Sequence, residues 1–204
     1  MSSLIGPAPE DWQEMPLADV CEVVAGPSNS MIRRVDVGGV PIDVVAPKHL
    51  QHGQVQGSDT IRVTTDASAR LDRYRLVSGD LICVRTGDLA KHALAGPEHD
   101  GWVAGTACFR VRPGPAVDPR YLLHYLGHPA VRDWITRHAS AATVPSLTLS
   151  MLRTLPVLIP PRTQQVAIGA IMGALDDKMA LHREIVAVTE QLRDSLMPLL
   201  LARR

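Results

Sequence analysis

Aromatic residues are scarce in this chain. Three Trp, three Tyr and one Phe make up 3% of its 204 residues. Proteins that hold single-stranded nucleic acid without sequence preference stack the bases on aromatic side chains. The scarcity therefore argues against a protein of that class.

Cysteine is also scarce, and the three residues present are Cys21, Cys83 and Cys108. Their number is odd, they are widely spaced, and each lies inside an apolar, strand-like run. A disulfide framework would need paired cysteines in a secreted chain, so we expect three buried free thiols. The first residues lack the basic and apolar regions of a secretory signal, which predicts a cytoplasmic protein.

The sequence has neither a net charge nor a long apolar run. Lys and Arg total 21 and are balanced by 21 Asp and Glu. No apolar stretch approaches the roughly 18 residues of a membrane-spanning helix. Nucleic-acid binders are usually basic, so the charge balance argues against one unless the basic residues gather on one face.

Motifs for chemistry are missing too. The sequence contains no GxGxxG, GxxxxGK[ST], HExxH, GxSxG or CxxC pattern. His124 and His128 are spaced for two metal ligands, but we interpret them as surface histidines. Asp133, His138 and Ser140 are the residue types of a catalytic triad, but such triples occur by chance in any chain of this size. The sequence therefore predicts no metal, no cofactor and no enzymatic activity.

The pattern up to residue 161 predicts an α+β fold. Short runs rich in Val and Ile predict strands at 20–26, 40–46, 60–65, 80–86 and 106–112. Asp118 before Pro119 predicts a helix over PRYLLHYLG, and Pro129 begins a second one. A brief helix and the strand-like LPVLIPP follow. We expect a strand-rich domain over residues 1–161, with its helices on the later side.

Residues 162–204 have a different pattern. Apolar side chains recur by threes and fours over more than four heptads, which is coiled-coil spacing. At 1.5 Å per residue this helix would extend about 58 Å, beyond the domain before it. An ordinary amphipathic helix lying on its own domain is the alternative. The expected contact positions are Ile171, Leu175, Lys178, Leu181, Ile185, Val188, Leu192 and Leu199.

Three loops of the strand-rich domain carry residues suited to polyanion binding. They are SMIRRVD, APKHLQHGQ and RTGDLAKHALAG. Arg can bind guanine bidentately, whereas Lys and Thr suit phosphate oxygens, and a solvated charged turn is the alternative for each loop alone. The candidate DNA-binding residues are Arg33, Arg34, Lys48, His49, Arg85, Thr86, Lys91 and His92.

The C-terminal segment resembles the specificity (S) subunit of type I restriction-modification systems. The likeness is carried by LPVLIPPRTQQVAIGAIMGALDDKMALHREI, and a looser one extends to LVSGDLICVRTGD and VDPRYLLHYLGHPAVRDWI. The matching positions are Pro156, Ile159, Pro160, Pro161, Gln165, Ile168, Leu175, Asp176, Lys178 and Leu181. A typical S subunit has two target-recognition domains and two such helices, whereas this chain has one of each and looks half-sized.

This resemblance implies a non-catalytic subunit that recognises double-stranded DNA. It implies partner DNA adenine methyltransferase and restriction subunits, and two long helices packed antiparallel. We therefore expect a homodimer formed through the C-terminal helix, whose two domains read inverted half-sites of an interrupted palindrome. The alternative is a coiled-coil assembly or adaptor protein that binds another protein without touching DNA.

Overall fold

A computed structural model describes residues 2–32, 34–35, 38–140 and 142–201. The strands are β1 (Ser2–Ser3), β2 (Gly6–Pro7), β3 (Gln13–Pro16), β4 (Cys21–Ala25), β5 (Val40–Val45), β6 (Leu50–Gln51), β7 (Gly53–Val55), β8 (Asp59–Val63), β9 (Leu81–Val84), β10 (His92–Leu94), β11 (Val103–Ala104), β12 (Cys108–Pro113) and β13 (Pro156–Ile159). The α-helices are α1 (Leu17–Val20), α2 (Thr65–Arg70), α3 (Pro119–Gly127), α4 (Pro129–His138), α5 (Leu149–Arg153) and α6 (Arg162–Leu201), and short 3-10 turns cover Pro47–His49, Asp72–Tyr74 and Pro97–His99.

The main sheet has six strands in the order β4-β12-β9-β10-β7-β6. All its neighbours are antiparallel except β10 and β7, which run parallel. Every residue of the central strand β9 is buried, which explains its continuous apolar sequence LICV. The sheet therefore holds the loop that follows β9 on a rigid base.

Both faces of this sheet are covered. Phe109 and Val111 of β12 join the largest apolar cluster, together with residues of α3, α4 and α5. Cys108 belongs to a second cluster, as alternation along a strand requires. A three-stranded sheet, β11-β5-β8, contributes most of a third cluster. The three cysteines are buried free thiols, and burial raises the pKa of each to about 12.

The α+β class predicted from the sequence is confirmed, because strands β4, β5, β8, β9 and β12 lie within two residues of their predicted positions. Asp118 caps α3 by accepting hydrogen bonds from the amides of Arg120 and Tyr121, as predicted. Within the described residues, helix α6 continues through Pro198 to Leu201. Its length of 40 residues corresponds to about 60 Å.

The chain divides into two compact units, residues 1–169 and 170–204. The boundary lies inside α6, so about two turns of the helix belong to the globular unit. Over the described residues, no helix is both long enough and apolar enough to cross a membrane.

Candidate nucleic-acid interface

The first group of candidate residues surrounds Asp59, at the start of β8. The Lys48 ammonium donates a hydrogen bond to Asp59 Oδ1 at 2.7 Å. This bond is the main reason that the pKa of Asp59 is lowered, and the charge of Arg34 lowers it further. Lys48 and Arg34 are exposed, but the Lys48 ammonium is paired with the Asp59 carboxylate. Arg33 lies outside the described residues.

His49 has a structural role in this group. Its side chain is buried, and Nδ1 accepts a hydrogen bond from the Ala46 amide at 3.0 Å, which closes the turn before β6. Its Nε2 lies 3.7 Å from Asp59 Oδ1. Burial lowers the pKa of His49. The structure therefore gives His49 a role in closing this turn, and its predicted contact with DNA stays a prediction.

The second group follows β9. Thr86 and Lys91 are exposed, while Arg85 is partly buried with its guanidinium carbon 6.0 Å from the centre of the Phe109 ring. The Arg85 amide donates to Ala107 O at 2.8 Å, and the Val84 amide donates to Lys91 O at 3.0 Å. The backbone at both ends of this loop is thus fixed by the sheet.

His92, at the far end of the same loop, links it to helix α3. Its Nδ1 lies 3.0 Å from Ala90 O, and its Nε2 lies 3.0 Å from Leu123 O. Burial lowers its pKa, and the two carbonyl contacts oppose that shift. Both ring nitrogens thus have partners within the fold, and the predicted contact of His92 with DNA stays a prediction.

The segment of residues 145–147, which follows α4, lies directly beside this second group. The Leu147 amide donates to Arg85 O, and the Gly87 amide donates to Pro145 O, both at 2.9 Å. Thr86 and Ser146 form an isolated antiparallel β-bridge. No motif marks this pairing, which joins residues about 60 positions apart in the sequence.

A buried ionic cluster holds the turn before β9. Asp80 is fully buried and accepts two hydrogen bonds from the Arg112 guanidinium, at 2.7 and 2.8 Å. It also accepts one from the Val77 amide at 2.9 Å. Gly79 has φ +94°, a conformation that suits glycine. The Gly-Asp pair of the family-like stretch LVSGDLICVRTGD therefore positions β9, the strand that leads into Arg85.

Gln165 fixes the beginning of α6 inside the globular unit. Its Oε1 accepts from the Asp118 amide at 2.7 Å. Its Nε2 donates to Ala116 O at 2.9 Å and to Pro160 O at 2.8 Å. The segment before α3 and the segment before α6 are thus both hydrogen-bonded to the buried Gln165 amide, which accounts for the glutamine in the family-like motif.

The helical unit exposes the apolar residues predicted to make contacts. Six of the eight positions carry exposed apolar side chains, Lys178 is exposed, and Leu199 is helical but its side chain is outside the description. Apolar residues beside the predicted line are also exposed, including Met172, Met179 and Val186. The exposed apolar arc is therefore wider than a strict two-stranded seam.

The described residues include no group of three or more His, Cys, Asp or Glu side chains placed to bind a metal ion. The chemistry available at the loops is that of hydrogen-bond donors, hydroxyls and cations on an ordered backbone. This chemistry suits recognition of a polar, anionic partner.

Comparison with known proteins places most of the chain in one family. Residues 9–191 match the model of the type I restriction modification DNA specificity domain. A Methanocaldococcus jannaschii protein provisionally named the type I restriction enzyme MjaX specificity subunit is 21% identical over 198 residues, which cover 95% of this chain and 46% of that protein. This relative is named a specificity subunit, in line with the predicted recognition subunit that is not an enzyme.

Solved structures agree on the fold. The HsdS subunit from Thermoanaerobacter tengcongensis matches with a TM-score of 0.67 and 18% identity, over 93% of this chain and 48% of that one. A chain from a structure concerning complex assembly and conformational transition of the type I R-M system gives a TM-score of 0.69 and 18% identity, over 94% and 45% of the two chains. The S subunit from M. genitalium gives 0.59 and 15%, over 96% and 47%. This chain spans about half the length of each relative, and it belongs to the type I restriction modification DNA specificity domain family.

Proposed function

We propose that this chain is a non-catalytic recognition module that reads half-sites in double-stranded DNA for a type I restriction-modification system. The observation that carries the proposal is the family match across residues 9–191. The ordered loops beside β9 support it, because they present exposed polar side chains on a rigid sheet. In this proposal residues 1–161 form the target-recognition domain, and residues 162–204 form the helix that binds partners.

The proposed contacts follow from exposure and charge. Arg34 and Lys91 are exposed cations suited to phosphate oxygens. Lys48 would also contact a phosphate once its ion pair with Asp59 is broken. Arg85 and Thr86 would contact base edges. The His49 and His92 rings, which bond to other parts of the fold, would position these loops rather than touch DNA.

We further propose that the helical unit pairs with a second copy of this chain in antiparallel fashion. Exposed apolar side chains along α6 support this, because leaving them in water costs free energy that burial would recover. Two copies would also supply about the length of one relative. DNA adenine methyltransferase and restriction subunits are the proposed partners of this paired module. They would supply the chemistry and further contacts with DNA that a chain of zero net charge lacks.

Selection from a pool of random duplexes tests DNA recognition. The whole chain, alone and together with a candidate methyltransferase subunit, would be used to capture and sequence bound duplexes. We expect enrichment of one interrupted palindrome, because a two-fold pair reads inverted half-sites. Failure of both samples to enrich any sequence, combined with a stable protein complex, would favour the assembly-protein alternative.

Light scattering tests the pairing. We expect wild type to have twice the 22.1 kDa mass of one chain, and Ile185→Glu to have the single mass, because a charge would enter the apolar arc. Arg183→Gln makes the same change in net charge on the opposite side of the helix and should leave the mass unchanged. A single mass for wild type, or a double mass for Ile185→Glu, would contradict pairing through this surface.

A further inference from the structure

The loop that follows α4 is held against the loop that follows β9 as if the two were one surface. In addition to the two backbone bonds described above, the Ser140 amide donates to Ser146 O at 2.9 Å. The Ser140 and Ser146 hydroxyls lie 2.9 Å apart. Residues 145–147 therefore bridge the β9 loop on one side and the end of α4 on the other.

The last turn of α4 is also fixed. The Trp134 and His138 rings stack with their centres 4.0 Å apart, and His138 Nδ1 lies 2.8 Å from Trp134 O. Arg137 is exposed, and its Nε donates to Asp133 O at 3.3 Å, which orients the guanidinium. The position of Arg137 relative to the β9 loop is thus set by ordered backbone on both sides.

An open cleft of about 510 Å³ lies between the two loops. Its polar lining residues are Asp88, Thr136, Arg137 and Ser140, and the others are glycine, alanine, leucine and proline. The charged residues in this lining are Arg137 and Asp88, and the rest are hydroxyl-bearing, small or apolar. Small side chains allow a ligand to approach the backbone closely.

This composition fits base edges better than phosphates. A phosphate site gathers cations, whereas base edges present hydrogen-bond donors, acceptors and methyl groups together. The cleft offers a matching mixture: a guanidinium, a carboxylate, hydroxyls and small apolar surfaces. The cations better suited to phosphate, such as Lys91, belong to the β9 loop outside this lining.

We propose that residues 136–140 and 142–146 form a second base-reading segment, in which Arg137 contacts a base edge beside the segment of Arg85 and Thr86. This inference rests on the proposed DNA recognition and adds a specificity residue to it. The DNA is read by a composite surface that two distant parts of the sequence build together.

The test repeats the duplex selection with three proteins: wild type, Arg137→Ala and Arg132→Ala. We expect Arg137→Ala to accept other bases at one position of the half-site, with a loss of discrimination there of about 5- to 150-fold, the range of a bidentate base contact. Arg132 is an exposed arginine on another side of the same helix, so Arg132→Ala should keep the wild-type preference.

The outcomes separate this inference from the proposed function. If wild type enriches a site and Arg137→Ala enriches the same site with equal discrimination, the base-reading role of the cleft is wrong while DNA recognition stands. Uniform weakening at every position with a shallower salt dependence would also overturn it, because that pattern belongs to a phosphate contact. Loss of methyltransferase binding with unchanged site preference would assign the cleft to a protein partner instead.

Discussion

At the scale of single residues, Asp80 has the strongest predicted effect on stability. It is fully buried beside Arg112 and Arg110, and it also accepts the Val77 amide. Asp80→Asn would remove the charge that pairs with Arg112 and faces Arg110, while Arg110 would keep its 3.0 Å pair with Glu22. Breaking a buried ion pair from one side costs about 3–5 kcal/mol. We expect a loss of free energy of unfolding of that order in denaturant titrations.

Asp72→Asn provides the matched control for this prediction. Asp72 also pairs with an arginine, at 2.8 Å from Arg75, but its side chain is mostly exposed. Exposed pairs contribute about 0–1 kcal/mol, so this variant should unfold almost as wild type does. Equal losses in the two variants would show that burial of Asp80 does not determine its contribution.

Residue type alone predicted which loop would present polar side chains, but not which side chains would be available. Thr86 and Lys91 are exposed, as a polar loop between strands should leave them. His49 and His92 have similar sequence surroundings, yet the rings of both lie at hydrogen-bond distance from backbone groups of the fold. The Nε2 partner of His92 is a carbonyl 31 residues later in α3, and no local pattern contains that contact.

At the scale of elements, the junction between the globular unit and α6 depends on one amide. Gln165→Glu keeps the acceptor for the Asp118 amide but replaces the donor that faces Ala116 O and Pro160 O. A carboxylate would then face two carbonyl oxygens in a buried site, so we expect a loss of about 2 kcal/mol or more. Gln164→Glu changes the adjacent, exposed residue in the same way and should cost little. Thermal unfolding of both variants checks this, and a stable Gln165→Glu protein would show that the junction tolerates the change.

Long elements were predictable because their patterns are long. The heptad spacing predicted one long helix in the segment after residue 161, and α6 covers Arg162–Leu201 of the described residues. Strands of two or three residues, such as β6, β10 and β11, were missed. They are too short to show alternation, and they exist because neighbouring strands supply hydrogen-bond partners across the fold. The cleft beside α4 escaped prediction for the same reason, since its two loops are joined only by tertiary pairing.

At the scale of the whole molecule, zero net charge conceals an uneven distribution. Among the candidate DNA-binding cations, Lys48 is paired with Asp59, which also lies near His49 and Arg34. If this group faces DNA, its carboxylate weakens attraction to phosphate. Charge balance then restrains non-specific binding and leaves discrimination to the loops beside β9.

Asp59→Asn tests this arrangement. The neutral Asn amide cannot form an ion pair with Lys48, so Lys48 becomes available to contact a phosphate. We therefore expect tighter binding to a non-specific duplex at low salt. Each added phosphate contact steepens the dependence of log affinity on log salt by about 0.9. Asp43→Asn is the control, because Asp43 accepts hydrogen bonds from Ser58 and Thr60 and the variant changes net charge equally. Steepening in Asp59→Asn alone would place Lys48 at the DNA, whereas equal changes in both variants would show an effect of overall charge.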